Sequence, residues 1–484
     1  MSNIWVVILL LFNFFYRLYI YFNTKVFGFG DYKLYLDAVE QINRVGYIPL
    51  QKGSFLYLNS YLGYFFKYVL NNFDYYFIFN CIIGSIATFI IYYFLRKVFN
   101  DGKIGLIYLI IISIYSEFIV LSSIFYTQII EILMASIIIL MVYKLHYVKN
   151  IYRSLLYISL IVLVINISYF FKGTMRYLWF IFFIISIFNM SGYKIFTKYI
   201  ILTLLLLSVK FSLNIFYPDI SSIINVHDIN NSNAIGFIFM GHTLYGGDGG
   251  EGTFIYKENR QRYDFNYNKW LKDNNIPSHS TKSEVNFRKH EILKFITEHP
   301  FQWIQLQVYK IFRTFGIIPE GSSFTILFSG LFNYNWILTS LFLQIPFALI
   351  FILFILTFDF KIITNYINKK FSLIWVGLFV YWLCGTVFYG PFQERYRIPI
   401  MVIFIIPALS IFLSNFNYKT FTIDKKSLIL KSISMLILFS IWGSQAYNAL
   451  VINSDRYFNF VDEVNRSDQP DIKIRQLYNN TNNK

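Results

Sequence analysis

The chain has 484 residues, of which 56% are hydrophobic, 21% aromatic and only 14% charged, and its formal net charge is +16. Soluble globular proteins carry about 25% charged residues, so this chain has too few to cover a water-facing surface. The composition therefore excludes an ordinary soluble protein and favours one with many membrane-spanning segments.

About eleven apolar runs follow one another along the chain, and each approaches the roughly 17–25 residues that a spanning helix needs. The runs are continuous rather than alternating, which favours helices over the strands of a barrel. They cover 4–22, 73–95, 104–122, 125–143, 154–171, 177–190, 199–217, 336–358, 371–389, 398–414 and 429–449. The sequence therefore predicts an all-α polytopic membrane protein.

The positive charge is concentrated in short loops, whereas the long segment 218–300 is roughly balanced in sign. Basic short loops mark the cytoplasmic side of a membrane. The pattern predicts a multi-pass protein of the cell membrane with a cytoplasmic N-terminus and a C-terminal tail outside. The charge is thus a signal of topology, and nucleic acid is not an expected partner.

The runs divide the chain into four regions, and three of them contain or form outer segments. Both cysteines lie inside apolar runs, which favours small buried side chains over a disulfide framework or a metal cluster. The predicted regions are an N-terminal transmembrane region 1–217 with a first outer loop 23–72, a large outer loop with juxtamembrane helices 218–335, a C-terminal transmembrane region 336–449, and an outer tail 450–484.

In the first outer loop, apolar residues recur at helical spacing and predict an amphipathic helix on the membrane surface that ends at Gly46. The recurring residues are Tyr35, Ala38, Val39, Ile42 and Val45. Asp31 stands before this helix. Asp is a favoured helix N-cap, and a carboxylate at the membrane interface is also suited to act as a general base.

The large outer loop contains a glycine cluster, "YGGDGGEGTF", and two predicted amphipathic helices split at Pro300. The cluster lacks the strand, helix and Lys-Ser/Thr ending of a phosphate loop, so a flexible turn is the better interpretation. His242 and Asp248 are candidates, with Asp31, for a divalent metal site, although their spacing matches no specific template. Residues 301–318 are predicted to form a juxtamembrane or re-entrant helix.

Five stretches carry a family resemblance: "GDYKLYLDAVEQINRVGYIP", "SSIFYTQIIEIL", "FKGTMRYLW", "ILKFITEHPFQWIQLQVYKIFRTFG" and "ERYRIPI". In this order they resemble the outer-face motifs of the polyprenyl-phosphate-sugar-dependent glycosyltransferases of the GT-C fold. That superfamily includes protein O-mannosyltransferases and aminoarabinose transferases. The resemblance implies a GT-C-like arrangement of helices.

The resemblance also implies an activity. The enzyme would move a sugar from a polyprenyl-phosphate donor, with inversion, to a glycan, lipid or protein acceptor at the outer face. Asp31 would be its catalytic base. Where relatives carry a Thr-Glu pair, this chain has Thr127 and Gln128, so Glu131 is the candidate second acidic residue. The resemblance names no certain cofactor, and a divalent metal remains one option.

Basic side chains at predicted outer helix ends are candidates for binding the donor phosphate, because guanidinium groups grip phosphate through paired hydrogen bonds. Arg395 and Arg397 lie at the start of one span, with Glu394 beside them to orient them. The other candidates are Arg176, Lys310 and Arg313. The alternative for each is snorkelling to lipid headgroups.

Two other functions fit a chain of this kind. A polymerase or ligase of lipid-linked surface polysaccharide also has about a dozen spans, a large outer loop and arginines, but it usually takes a diphosphate donor. A transporter or flippase predicts charges buried within the spans. The middle parts of the predicted spans are nearly free of charge, which disfavours transport.

Overall fold

The protein was studied as a computed structural model, which describes residues 3–23, 31–46, 57–148, 150–171, 260–276, 281–304, 315–317, 336–358, 397–415 and 425–447, with isolated helical positions at 197, 200, 203, 204, 207 and 308. Nearly all of these described residues are helical, and no strand occurs among them. The predicted all-helical class is confirmed for this part of the chain.

The described helices are α1 (Asn3–Asn23), α2 (Asp31–Val45), α3 (Tyr57–Tyr64), α4 (Asp74–Phe99), α5 (Gly102–Ile114), α6 (Ser116–Val120), α7 (Gln128–Tyr147), α8 (Ile151–Phe171), α9 (Arg260–Asp273), α10 (Thr281–Glu298), α11 (Trp336–Thr357), α12 (Ile398–Ile400), α13 (Ile406–Asn415) and α14 (Lys425–Tyr447). A π-helical turn, Phe65–Val69, extends α3, and a second, Met401–Ile405, joins α12 to α13.

Four of these helices, α1, α4, α7 and α14, are long and apolar enough to cross a membrane. A fifth span is added if the bent pair of α5 and α6 counts as one. Shorter apolar stretches occupy α8, α11 and the segment from α12 to α13. The described helices are compatible with a membrane protein but do not establish about eleven spans; the predicted runs 177–190 and 371–389 lie outside the described residues.

The apolar helices form one bundle with a continuous core. Helix α4 packs against α1, α5 and α7; α7 packs against α8; and α13 packs against α5 and α11. The end of α1 is tied to the start of α4, where the Tyr21 hydroxyl donates to the Asp74 carboxylate at 2.5 Å. This end of the bundle, which the sequence predicts to be the outer end, carries the site described below.

Helix α2 confirms the predicted amphipathic helix, and its apolar face packs on protein. Tyr35 lies edge-on to Phe125 and Tyr126, in the turn before α7. Ala38 and Ile42 pack against α3. Val45, at the end of the helix, is exposed. As predicted, the helix ends at Gly46, whose φ of +80° is a conformation that favours glycine.

Candidate functional site

The guanidinium of Arg397 is completely enclosed at the predicted outer end of the bundle. It pairs with the Glu117 carboxylate through two hydrogen bonds: Nε donates to Oε2 at 3.1 Å, and Nη2 donates to Oε1. Such two-point guanidinium–carboxylate contacts are strong and fix geometry. Glu117 is likewise fully buried, so the pair is a dry ion pair between segments that are 280 residues apart.

Neutral groups complete the surroundings of Arg397. Its Nη2 also donates to the Gln344 side-chain oxygen at 2.6 Å, and its Nη1 donates to the Gly316 carbonyl at 2.5 Å. The guanidinium lies over the Phe347 ring, 3.5 Å from its centroid. Arg397 therefore joins four parts of the chain: its own segment, α6, α11 and residues 315–317. We call this group, with Glu117, the Arg397 hub.

A break in a predicted span brings Glu117 into the hub. The sequence predicts one continuous helix over 104–122, and this prediction is wrong: α5 ends at Ile114, and α6 leaves at an angle of 69°. At the break, Tyr115 has a non-helical ψ of 86°, and its hydroxyl donates to Glu117 Oε2 at 2.6 Å. The Ser116 hydroxyl donates to the Phe342 carbonyl at 2.6 Å. These side chains hold the bent backbone against α11.

Residues 315–317 are held from a second side by α14. The indole Nε1 of Trp442 donates to the Phe315 carbonyl at 2.9 Å. A Cβ built on Gly316 would lie only 2.6 Å from the side-chain oxygen of Gln445, so this position accepts no larger residue without a shift. Residues 315–317 are therefore held both by Arg397 of the hub and by Trp442 of α14.

A second buried arginine, Arg17, lies at the other end of α6. Its Nε donates to Asn13 Oδ1 at 3.0 Å, and its Nη1 donates to the Phe118 carbonyl at 2.9 Å and to the Ser122 hydroxyl at 2.7 Å. The guanidinium also lies 4.1 Å from the centre of the Phe118 ring. It is fully buried, and Nη2 has no hydrogen-bond partner. All of its described partners are neutral.

The charges of Glu117 and Arg17 match the dipole of the short helix α6. Glu117 stands in the first turn of this helix, where negative charge is favourable, and Arg17 binds the Phe118 carbonyl toward its last turn, where positive charge is favourable. Both arginines are buried within the bundle, and Glu117 lies inside the predicted run 104–122. Arg17 and Glu117 thus place two buried charges in the outer thirds of the predicted runs 4–22 and 104–122.

The two predicted acidic residues lie in helices that meet this end of the bundle. Helix α2 begins at Asp31, one turn before Tyr35, which packs on the turn that precedes α7. Glu131 lies in the first turn of α7 and is buried. Helix α7 also contacts α12, which Arg397 directly precedes. The start of α2, the first turn of α7 and the segment after Arg397, which belong to three of the five motifs, therefore meet at this end of the bundle.

Outside the bundle core, Glu40 of α2 joins the π-helical turn that follows α3. Its carboxylate accepts hydrogen bonds of 2.5 Å from the Lys67 ammonium and the Tyr68 hydroxyl. These bonds, the one from Lys67 foremost, lower the pKa of Glu40. Burial lowers the pKa of Lys67, but its contact with Glu40 outweighs this effect, so that pKa is raised. The network fixes α2 against the segment after α3.

Most of the remaining predicted site residues lie outside the described part of the chain: Glu394, Arg395, Arg176, Lys310, Arg313, His242 and Asp248. Their roles stay predictions. The described residues contain no group of three His, Cys, Asp or Glu side chains that could hold a metal ion. The guanidinium of Arg397 is taken up by protein acceptors, which leaves it no surface for the phosphate contact predicted for it.

The structure also identifies residues that the sequence argument missed, namely Glu117, Gln344 and Arg17. One signal was available, because Glu117 is the single acidic residue in the apolar run 104–122. Ionisable residues within spans are costly, and they pair with one another or mark functional paths. The chain matches no protein-family model, no curated protein and no solved structure.

Proposed function

We propose that the protein is a membrane glycosyltransferase of the GT-C type, which moves a sugar from a polyprenyl-phosphate donor to an acceptor at the outer face of the cell membrane. The observation that carries the proposal is the convergence of three motif-bearing segments at one end of the bundle. These segments are the start of α2 at Asp31, the first turn of α7 with Glu131, and the segment after Arg397.

The proposed architecture has about eleven spans, a cytoplasmic N-terminus, and 218–335 and 450–484 outside. The long apolar helices of the described bundle are compatible with it. The basic short loops support the orientation. In that orientation Arg17, Glu117 and Arg397 all lie toward the outer end, on the same side as Asp31.

In the proposed reaction, Asp31 removes the proton of an acceptor hydroxyl as its oxygen attacks the anomeric carbon of the donor sugar. The new C–O bond forms as the bond between that carbon and the phosphate oxygen breaks. The polyprenyl phosphate leaves with the electron pair, and the configuration at the carbon inverts. Negative charge grows on the departing phosphate, where fixed cations help most.

The two arginines of the "ERYRIPI" motif have different roles in this proposal. Arg397 is committed to Glu117 and positions the motif, so we assign the phosphate contact to Arg395, two residues earlier. Arg176 and the pair Lys310 and Arg313 are the other proposed contacts. A guanidinium suits this role because it stays charged when partly desolvated.

The proposal is tested by incubating the purified protein with a panel of polyprenyl-phosphate and polyprenyl-diphosphate sugars and measuring sugar transfer. We expect turnover with a monophosphate donor. Asp31→Asn should lower turnover by about two to four orders of magnitude if the carboxylate is the base, while stability is kept because Asn caps helices about as well.

The matched control is Asp37→Asn, which changes an exposed carboxylate on the same helix and should leave turnover unchanged. An Asp31→Asn variant with full activity removes this residue from the mechanism. Turnover with diphosphate donors alone would favour the polymerase or ligase instead.

One observation favours transport as a second candidate. A broken helix beside a buried ion pair, as found at Tyr115 and Glu117, is a feature of transporter binding sites. Proteoliposomes separate the two functions. A transporter moves a labelled lipid-linked sugar across the bilayer without cleaving it, whereas the proposed enzyme cleaves the sugar–phosphate bond.

A further inference from the structure

The charge of Arg17 has no counter-ion among the residues that the structure describes. The guanidinium is 0% exposed, its acceptors are an amide, a hydroxyl and a carbonyl, and no carboxylate pairs with it in the part of the chain that the structure describes. Its Nη2 makes no hydrogen bond. Burying an unpaired charge costs several kcal/mol unless a partner is supplied. An anion from outside the described residues would lower this cost.

An apolar groove of about 340 Å³ leads along α1 toward Arg17. On α1 it is lined by Val7, Leu10, Leu11 and Phe14, at helical spacing, and Arg17 continues this stripe by one turn. On α4 it is lined by residues that include Ser85, and the neighbouring Gly84 lies directly against the Arg17 guanidinium. The guanidinium thus lies just beyond the outer end of the groove.

We propose that this groove and Arg17 form a binding site for an anionic phospholipid of the bilayer. One acyl chain lies in the groove, and a phosphate oxygen accepts a hydrogen bond from the unpartnered Nη2. The occupant is a lipid because α1 is largely exposed along the groove, and a spanning helix meets hydrocarbon there. It is anionic because the unpaired charge at the groove's end is positive.

The phosphate must also reach a guanidinium that is enclosed in the structure. Phe14, half-buried and one helical turn before Arg17, lines this end of the groove, and a change of its rotamer is the proposed way in. The site differs from the donor site proposed above, which involves other residues, and its existence does not depend on glycosyl transfer.

The test uses the purified full-length protein in nanodiscs that contain equal amounts of phosphatidylglycerol and phosphatidylcholine. Native mass spectrometry then measures which lipid the released protein retains. We expect wild type to prefer phosphatidylglycerol about tenfold, the equivalent of one charge-assisted hydrogen bond. Arg17→Gln should lose this preference. Arg96→Gln, which removes an exposed arginine from the far end of α4, should keep it.

A second variant covers the case in which Arg17→Gln does not fold. Ser85→Phe fills the groove without changing Arg17, and we expect it to retain less phosphatidylglycerol than Ser432→Phe, the same change at an exposed position of α14. The proposal is overturned if wild type shows no preference, if Arg17→Gln and Arg96→Gln behave alike, or if Ser85→Phe has no effect. If the released protein retains inorganic phosphate as well as it retains phosphatidylglycerol, the site binds a free anion, and the proposal is also overturned.

Discussion

The two buried arginines of this bundle differ in the charge of their partners, and this difference separates a structural role from a binding role. Arg397 meets a carboxylate and is neutralised within the protein, while Arg17 meets only neutral acceptors. Both are fully enclosed, and both are attached to α6, one through Glu117 and the other through the Phe118 carbonyl. The first arginine therefore acts as a joint between chain segments, and the second keeps a charge that an external anion can satisfy.

The same substitution at the two arginines gives the largest expected contrast. Arg397→Met leaves the Glu117 carboxylate buried without a counter-ion, which should cost about 3–5 kcal/mol of unfolding free energy. Arg17→Met loses three hydrogen bonds, each worth about 1 kcal/mol net. It leaves no charge behind and removes a buried unpaired charge, whose burial cost offsets this loss, so its net cost should be smaller than that of Arg397→Met. Reversible denaturation in detergent measures both.

The double variant Glu117→Leu/Arg397→Met is the control for this contrast. Replacing a buried ion pair by apolar residues of similar size is often neutral, so the double variant should recover most of the stability lost in Arg397→Met. If Arg17→Met proves as damaging as Arg397→Met, the distinction between a neutralised and an unneutralised arginine is wrong.

Two buried tyrosines sharpen the comparison at the level of a single hydroxyl. Tyr115 donates to the Glu117 carboxylate, whereas the Tyr108 hydroxyl is buried without a hydrogen-bond partner. Tyr115→Phe should cost about 1.5–3 kcal/mol, the value of a hydrogen bond to a charged group. Tyr108→Phe should be neutral or stabilising, because it removes an unsatisfied polar atom. Equal losses in denaturation would show that the hub does not depend on this hydroxyl.

Gly84 probes the space around Arg17. A Cβ at this position would lie 2.7 Å from the guanidinium Nη1 and 2.9 Å from Ile129 Cδ1. Gly84→Ala should therefore cost about 1–3 kcal/mol through overpacking. Gly443→Ala, on α14 with nothing within 4 Å of the new Cβ, should instead stabilise by about 0.5–1 kcal/mol through helix propensity. In an Arg17→Met background the cost at Gly84 should shrink; an unchanged cost would assign the clash to Ile129 alone.

Local sequence patterns predicted where the helices lie better than they predicted which helices contact one another. The period of α2 and the stop at Gly46 were readable because both depend on neighbouring residues. The break at Tyr115 was not, since no glycine or proline marks it and tertiary contacts of Ser116 and Glu117 hold it.

The same limit applies to the candidate site. Proximity in sequence suggested Glu394 as the carboxylate that orients Arg397, and the fold supplies Glu117 from 280 residues away. Hydropathy identified the run that contains Glu117, but no local pattern indicates which distant arginine meets it. The roles of Asp31 and Arg395 remain predictions that rest on the family resemblance.

The surface network of Glu40 and Lys67 should give the smallest effect, because its side chains remain 38% and 35% exposed. Exposed ion pairs contribute about 0–1 kcal/mol, and salt screens them.

The lowered pKa of Glu40 means that its contribution is present above the unfolded pKa of about 4.3 and is lost as pH falls through the folded value. The raised pKa of Lys67 means that its contribution is present below about pH 10.4 and is lost as pH rises through the folded value. The stability difference between wild type and Glu40→Gln should therefore be largest near neutral pH, fade toward pH 3 and shrink in molar salt. A stability difference that persists at pH 3 would mean that Glu40 stabilises α2 by packing. The Glu40–Lys67 pair could then not serve as the exposed ion pair in the comparison with the buried arginines.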